Sequence, residues 1–168
     1  MIQFATYEEE NIHYWTNRAS GYSGVNQEEL ASDQKTVWRG VISRRIAARF
    51  PDRSPAQIRV LDVGTGPGFF AIILAELGYQ VTAVDYTASM LEEAKGNAGV
   101  LAEKIDFRQM NAEKLTFSTA SFDVLRGLGM QAAADTEVWK QVWTKEERIN
   151  NASTPMFLVE GMKVGVAI

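Results

Sequence analysis

The run Val60-Leu61-Asp62-Val63-Gly64-Thr65-Gly66-Pro67-Gly68-Phe69-Phe70 decides the fold. A short apolar strand passes straight into a glycine-rich turn, and the turn opens an apolar helix from Phe69 to Leu77. Strand, glycine turn and helix in that order make the first βα unit of a nucleotide-binding α/β sheet. Glycine lets backbone approach a ligand closely, and a helix N-terminus offers free N–H groups. Spacing discriminates between the known turns of this kind. The dinucleotide fingerprint is G-x-G-x-x-G/A. Counted from Gly64, its last position falls on Phe69, which is too bulky for close helix–strand packing. The glycines instead stand at 64, 66 and 68, with Asp62 two residues before the first. Taken alone, they also suit a plain tight turn in another doubly wound protein.

The next unit narrows the reading. Gln80-Val81-Thr82-Ala83-Val84 has the alternation of a second strand and ends in Asp85, 21 residues after Gly64. An acid about 20 residues beyond the first glycine is placed to hydrogen-bond a ribose hydroxyl. A carboxylate accepts two such bonds at once. Thr87-Ala88-Ser89-Met90-Leu91-Glu92-Glu93-Ala94 then opens a helix with Leu91, Ala94 and Ala98 on one face.

The D-x-G-x-G-x-G pattern of Asp62 to Gly68 resembles motif I of the class I S-adenosylmethionine (SAM)-dependent methyltransferases. The string Val84-Asp85-Tyr86-Thr87-Ala88-Ser89-Met90-Leu91-Glu92-Glu93-Ala94 resembles the segment after their second strand. The resemblance implies a doubly wound, Rossmann-like, mostly parallel α/β sheet. It also implies SAM as cofactor, S-adenosylhomocysteine (SAH) as product and a small-molecule acceptor as partner. Asp62 would orient the turn and the cofactor's amino group through water. Gly64, Thr65, Gly66 and Gly68 would form the turn under the methionine and ribose portions. Asp85 would grip the ribose hydroxyls, Tyr86 would pack on the adenine, and Asn111 and Ala112 would border its edge. Asn111-Ala112-Glu113 follows the third strand, Ile105 to Met110, where relatives carry D-A-x. Asn in place of Asp can still accept from an adenine amino group, although Asn is also a common turn residue. Tyr14-Trp15-Thr16-Asn17-Arg18-Ala19-Ser20-Gly21-Tyr22 resembles the helix that precedes the core in such proteins. Tyr14, Arg18 and Tyr22 would approach the methionine end, with Arg18 suited to pair bidentately with its carboxylate. The plainer alternative is an amphipathic cap with these residues packed or solvated.

The bulk properties fit one soluble domain over 1–168. The reading divides it into a helical cap over 1–55, a cofactor-binding core over 56–126 and a shortened C-terminal part over 127–168. The 168 residues, 46% hydrophobic and 23% charged, are ordinary for a globular protein. A net charge of −4 argues against nucleic acid as the main partner. The absence of cysteine excludes thiol nucleophiles and cysteine metal sites. Met1 to Thr6 has no basic, apolar signal-peptide character, and no apolar run is long enough to span a bilayer. A cytoplasmic location with no membrane contact is the expectation. His13, the one histidine, lies in a charged helical stretch and reads as solvated.

Along the chain, helix is expected from Thr6 to Ala19, a break over Gly21 to Asn26, and a long amphipathic helix from Gln27 to Phe50. Its stripe is Leu30, Val37, Trp38, Val41, Ile42, Ile46 and Phe50. Strands alternating with helices predict a parallel sheet with helices on both faces. Phe122 to Leu125 reads as a fourth strand, Asp135 to about Arg148 as a short helix and Thr154 to Val164 as a last strand.

The usual block holding strands five and six is expected to be missing between Arg126 and Asp135, leaving the C-terminal half incomplete. The last strand would then join the sheet beside Val124 or pair across a homodimer, because an uncovered strand edge invites association. One wall of the acceptor pocket would go with the block. Two other classes therefore stay open: a SAM-binding but inactive truncated protein, and a nicotinamide-dependent oxidoreductase, against which Phe69 counts. No residue is assigned as general base.

Overall fold

A computed structural model describes residues 4–118, 121–128 and 156–159. Two helices come first, α1 (Tyr7–Ala31) and α2 (Asp33–Arg49). The core follows as β1 (Arg59–Val63), α3 (Phe69–Glu76), β2 (Gln80–Asp85), α4 (Ala88–Ala98), β3 (Ile105–Gln109) and β4 (Val124–Leu128), with β5 (Met156–Val159) last. The sheet order is β3-β2-β1-β4-β5. Strands β1 to β4 are parallel, and β5 runs antiparallel to β4. This is the expected mostly parallel, Rossmann-like α/β sheet.

The expected break at Gly21 to Asn26 is not there. Helix α1 runs through it and stops at Ser32. Glycine within a helix costs only about 1 kcal/mol relative to alanine. Neither Gly21 nor Gly24 has a neighbour that a Cβ would meet, so the backbone there lies on the open side. The other face of α1 is held by tertiary contacts. Ser32 makes the real boundary. Its hydroxyl donates to Glu29 O at 2.8 Å and accepts from Gln34 N at 3.2 Å, closing one helix and capping the next. At the start of α1, Thr6 Oγ1 accepts from Glu9 N at 3.1 Å while the Glu9 carboxylate accepts from Ala5 N at 2.9 Å.

The helix expected from Gln27 to Phe50 is divided at Ser32, so Leu30 of its stripe falls on α1, and the rest lies on α2 or at its C-cap, Phe50. Val41, Ile42 and Ile46 are buried, and Val37, Trp38 and Phe50 pack partly buried beside them. Trp38 meets Phe70 edge-on at 5.0 Å between ring centroids. Helix α3 is buried on every side from Phe69 to Ala75, as a helix sandwiched between a sheet and other helices must be.

The two layers differ. The crossovers β1–α3–β2 and β2–α4–β3 step the same way along the sheet, so right-handed connections set both helices on one face. That face carries Val60, Val81, Ala83 and Val124 in the main core. The connection from β3 to β4 steps back across β1 and β2 and passes over the other face. There Leu115, Phe117 and Phe122 cover Leu61, Val63 and Val84. Among the described residues, the α-helices thus lie on one face only, and Leu115, Phe117 and Phe122, after a short 3-10 turn at Ala112–Lys114, cover the other.

Strand β4 extends past the expected Leu125 through Arg126 and Gly127 to Leu128. Its outer edge is taken by β5 within the same chain, with Leu125 opposite Val159 and Leu128 opposite Met156. That is the intrachain form of the two pairings expected for the last strand. The expected helix from Asp135 to Arg148 and most of the stretch read as lacking a block lie outside the described residues.

Candidate functional site

The site begins where β1 ends. Gly64 N and Thr65 N both donate to Val84 O, at 2.8 and 3.0 Å, tying the turn to the neighbouring strand. Gly68 N closes the turn by donating to Thr65 O at 3.0 Å. Gly64, Gly66 and Gly68 all have positive φ, at 69°, 54° and 97°, a region that favours glycine. Gly68 also has a packing reason. A Cβ there would stand 3.1 Å from Ala94 Cβ and 3.3 Å from Ala94 Cα, so helix α4 could not lie so close. At Gly66 a Cβ would meet only the Tyr22 ring, at 4.0 Å. Among the described residues, Tyr22 thus bounds the space above Gly66.

Two acids serve the turn from below. Asp62 is fully buried; it accepts from Thr65 Oγ1 at 2.8 Å and from Arg126 at 2.9 Å. Arg126 itself is buried, and its guanidinium lies 4.0 Å from the centroid of the Phe70 ring. Asp85, at the end of β2, accepts from Gly66 N through one oxygen and from Thr87 N through the other, both at 2.9 Å. Burial pushes its carboxyl above the ordinary aspartate range, the Thr87 and Gly66 N–H groups oppose this, and the nearby Asp62 charge reinforces it. The Tyr86 N–H opposes the shift as well, so three backbone donors face a carboxylate with about four acceptor positions, and the residue is only half-buried.

Helix α1 is laced to the turn by small polar side chains. Asn97 on α4 donates to Pro67 O at 3.0 Å and to Ser23 Oγ at 3.0 Å, and it accepts from Gln27 at 2.8 Å. Turning the buried Asn26 amide lets its nitrogen donate to Pro67 O at 3.2 Å and its oxygen accept from Phe69 N at 3.1 Å. That bond caps the first turn of α3, whose own cap residue, Gly68, has no side chain.

The structure therefore brings Asp62, Gly64, Thr65, Gly66, Gly68 and Asp85 together, with Tyr22 over the turn. Tyr86 follows Asp85 directly, and its carbonyl accepts from Gln109 at 3.1 Å. Met110 N donates to Asp85 O at 2.9 Å, which sets Asn111 and Ala112 at the neighbouring strand end. Packing pushes the Tyr22 phenol above its ordinary value, with Glu29 adding to the shift and Arg126 opposing it. Tyr14 and Arg18 are exposed and contact each other, the guanidinium standing 5.2 Å from the Tyr14 ring centroid. His13 is exposed and paired with Asn17 one turn along.

Arg126, Asn26 and Asn97 were not singled out by sequence. The one signal was Asn26-Gln27 on the same helix as Tyr22, a polar stretch that reads as solvated. All the assembled groups lie at the carboxyl ends of the strands, where open α/β sheets bind ligands. A cleft of about 540 Å³ lined by Arg59, Gln80, Lys104 and Asp106 sits at the opposite end, where the strands start. No metal-holding group of acids and histidines occurs among the described residues. No helix among them is long and apolar enough to cross a membrane.

A model of the family described as methyltransferase domain matches residues 60–149, more than half of the chain. An uncharacterized protein of Mycobacterium tuberculosis is 41% identical over 76 residues, which are 45% of this chain and 28% of that protein. The demethylmenaquinone methyltransferase of Deinococcus radiodurans is 38% identical over 110 residues, 63% of this chain and 43% of that one. The chain thus spans less than half the length of either relative. Among solved structures, a Methanococcus maripaludis protein proposed to be a SAM-dependent methyltransferase superposes with a TM-score of 0.54. It is 18% identical, and the match covers 86% of this chain and 63% of that one. At that identity the likeness concerns the fold.

Proposed function

This chain belongs to the methyltransferase domain family, and we propose that it binds SAM on the Gly64–Gly68 turn and transfers the methyl group to a small-molecule acceptor. The observation that carries this is the placement of Asp85. Its carboxylate ends β2, faces the turn through Gly66 N at 2.9 Å, and stays half-open to a ligand. A ribose diol set above the turn would find a carboxylate acceptor there, and a bulky third fingerprint residue, Phe69, disfavours a dinucleotide. The residues present fit the cofactor: Asp85 offers carboxylate oxygens to a diol, and among the described residues only the Tyr22 ring lies within 4 Å of a Cβ placed on Gly66.

When bound, SAM supplies an electrophilic methyl on a sulfonium and a neutral thioether as leaving group. The chain's part is to hold and to exclude water, since orientation supplies much of the rate in such displacements. Asp85 orients the ribose. The Gly64–Gly68 backbone supports the methionine and ribose portions. Tyr86, Asn111 and Ala112 border the adenine, and Tyr22 closes the turn from above. Tyr14 and Arg18 are exposed, and their reading as contacts for the methionine end requires these side chains to turn inward. We assign no general base.

The name of the Deinococcus relative suggests a quinol-type acceptor as the first to try. The test is incubation with methyl-labelled SAM and a panel of small phenols, reduced quinone head groups and amines. Label transfer to any of them supports the enzyme reading. SAH binding without transfer to the panel would favour the inactive, cofactor-binding alternative. Self-association belongs to the proposal only through the outer edge of β5, and a monomer in light scattering would remove it.

A further inference from the structure

We propose that Arg126 is a positioning residue for the glycine turn and acts on it through Asp62. The proposal rests on the cofactor reading above for its meaning, but its geometry stands alone. Asp62 and Arg126 are register partners on β1 and β4. Asp62 is 0% and Arg126 5% exposed. One oxygen of Asp62 accepts from Arg126 at 2.9 Å and the other accepts from Thr65 Oγ1 at 2.8 Å. The carboxylate is thus a bridge with the strand β4 cation on one side and the turn on the other. The guanidinium is pinned in turn over Phe70, at 4.0 Å from the ring centroid, in the first turn of α3.

A buried ion pair costs desolvation and is weak evidence of stabilisation. An apolar pair at these two positions would pack the sheet as well. What an apolar pair could not do is hold Thr65. Arg126 also offsets one of two carboxylates that lie close together beneath the turn, Asp62 and Asp85. A fully buried carboxylate needs such a charged partner. Asp62 accepts from Thr65 Oγ1 and fixes the hydroxyl, and Thr65 O in turn receives Gly68 N at 3.0 Å. Arg126 thus reaches the turn through Asp62 and Thr65.

The experiment compares the wild type with R126M, D62N and the double variant R126M/D62N. The double variant keeps the test decisive if R126M, with its unpaired buried acid, does not fold, because neither member of the ion pair remains. The first readout is amide hydrogen exchange of Gly66 and Gly68 in ligand-free protein, with Ile73 and Ala83 as core references. The second is the SAH dissociation constant. Exchange at the turn should rise ten-fold or more in D62N and in folded R126M, with a smaller change at the references. The double variant should match D62N in both exchange and SAH affinity, because the proposed action of Arg126 on the turn passes through Asp62. Turn exchange in D62N or folded R126M equal to wild type would overturn the proposal. So would a double variant ten-fold weaker for SAH than D62N, which would give Arg126 a contact of its own. Failure of the wild type to bind SAH would remove the cofactor reading, while the exchange measurements would still decide the role of Arg126.

Discussion

Asn97 on α4 donates to the carbonyl of Pro67 at 3.0 Å, and the same amide group accepts from Gln27 on α1 at 2.8 Å. One side chain thus joins the N-terminal helix, the fourth helix and the glycine turn. Asn97→Ala removes this junction, leaving Ser23 Oγ short of a donor and the Pro67 carbonyl with the Asn26 amide alone. A net hydrogen bond is worth about 0.5–1.5 kcal/mol, so a loss of about 1–3 kcal/mol in chemical denaturation is expected. Amide exchange in α1 should rise while that of β1 and β2 stays close to wild type.

Gly68→Ala meets two obstacles. Its φ of 97° lies in a region where a side chain is strained by about 1–3 kcal/mol. The new Cβ would also press on Ala94 Cβ at 3.1 Å. A loss of more than about 2 kcal/mol is expected on these two grounds. Gly21→Ala, where nothing lies within 4 Å and the backbone is helical, should be neutral or stabilising by up to about 1 kcal/mol. Paired thermal melts of the two variants check the contrast.

Asp123 sets an acid limit on stability. Arg53 donates to its carboxylate at 3.0 Å, and Arg59 donates through both its backbone N, at 3.0 Å, and its side chain. These bonds, that of Arg53 foremost, hold the carboxyl well below the usual carboxylate range. A depressed folded value contributes stability above the unfolded value of about 3.9, and the contribution is lost as pH falls through the folded one. Asp123→Asn should therefore cost about 1–2 kcal/mol at neutral pH, discounted for the half-exposed arginines. The gap from wild type should close below about pH 4. Denaturant midpoints across pH measure it.

Asp85 carries the opposite sign. Its folded value is raised, chiefly by burial. Its contribution to stability is full below the unfolded value and is lost as pH rises through the folded one. Ligand binding reverses the advantage, because the ionised carboxylate is the better acceptor for a ribose hydroxyl. SAH affinity should therefore begin to fall with acidification at a higher pH than an ordinary aspartate would dictate. Asp85→Asn should bind about ten-fold less tightly, as befits a charged hydrogen bond of about 1.5–3 kcal/mol, and should lose this acid limb.

The turn and the second strand were legible in sequence because their determinants are local. Glycines at 64, 66 and 68 and an acid at the end of β2 need only short-range spacing to be read. The cap helices were legible as helices but not in their boundary. Gly21 and Gly24 signal a break that tertiary contacts override, whereas Ser32 followed by Asp33 marks the true one. Arg126 was not legible. A charged residue followed by glycine reads as the end of a strand, and only the register that sets it opposite Asp62 reveals a buried pair. Asn26 and Asn97 were hidden for a similar reason. They are small polar helix residues that look solvated until the turn is brought against them.

The central claim is that the Gly64–Gly68 turn with Asp85 is a SAM site, and calorimetric titration of the wild type and of Asp85→Ala with SAH and with NAD tests it most directly. The account predicts that the wild type binds one SAH per chain and no NAD. It also predicts that Asp85→Ala, with its fold intact by circular dichroism, binds SAH about ten-fold less tightly or worse, in keeping with a charged hydrogen bond lost. Binding of NAD without SAH, or SAH affinity unchanged in Asp85→Ala, would contradict it.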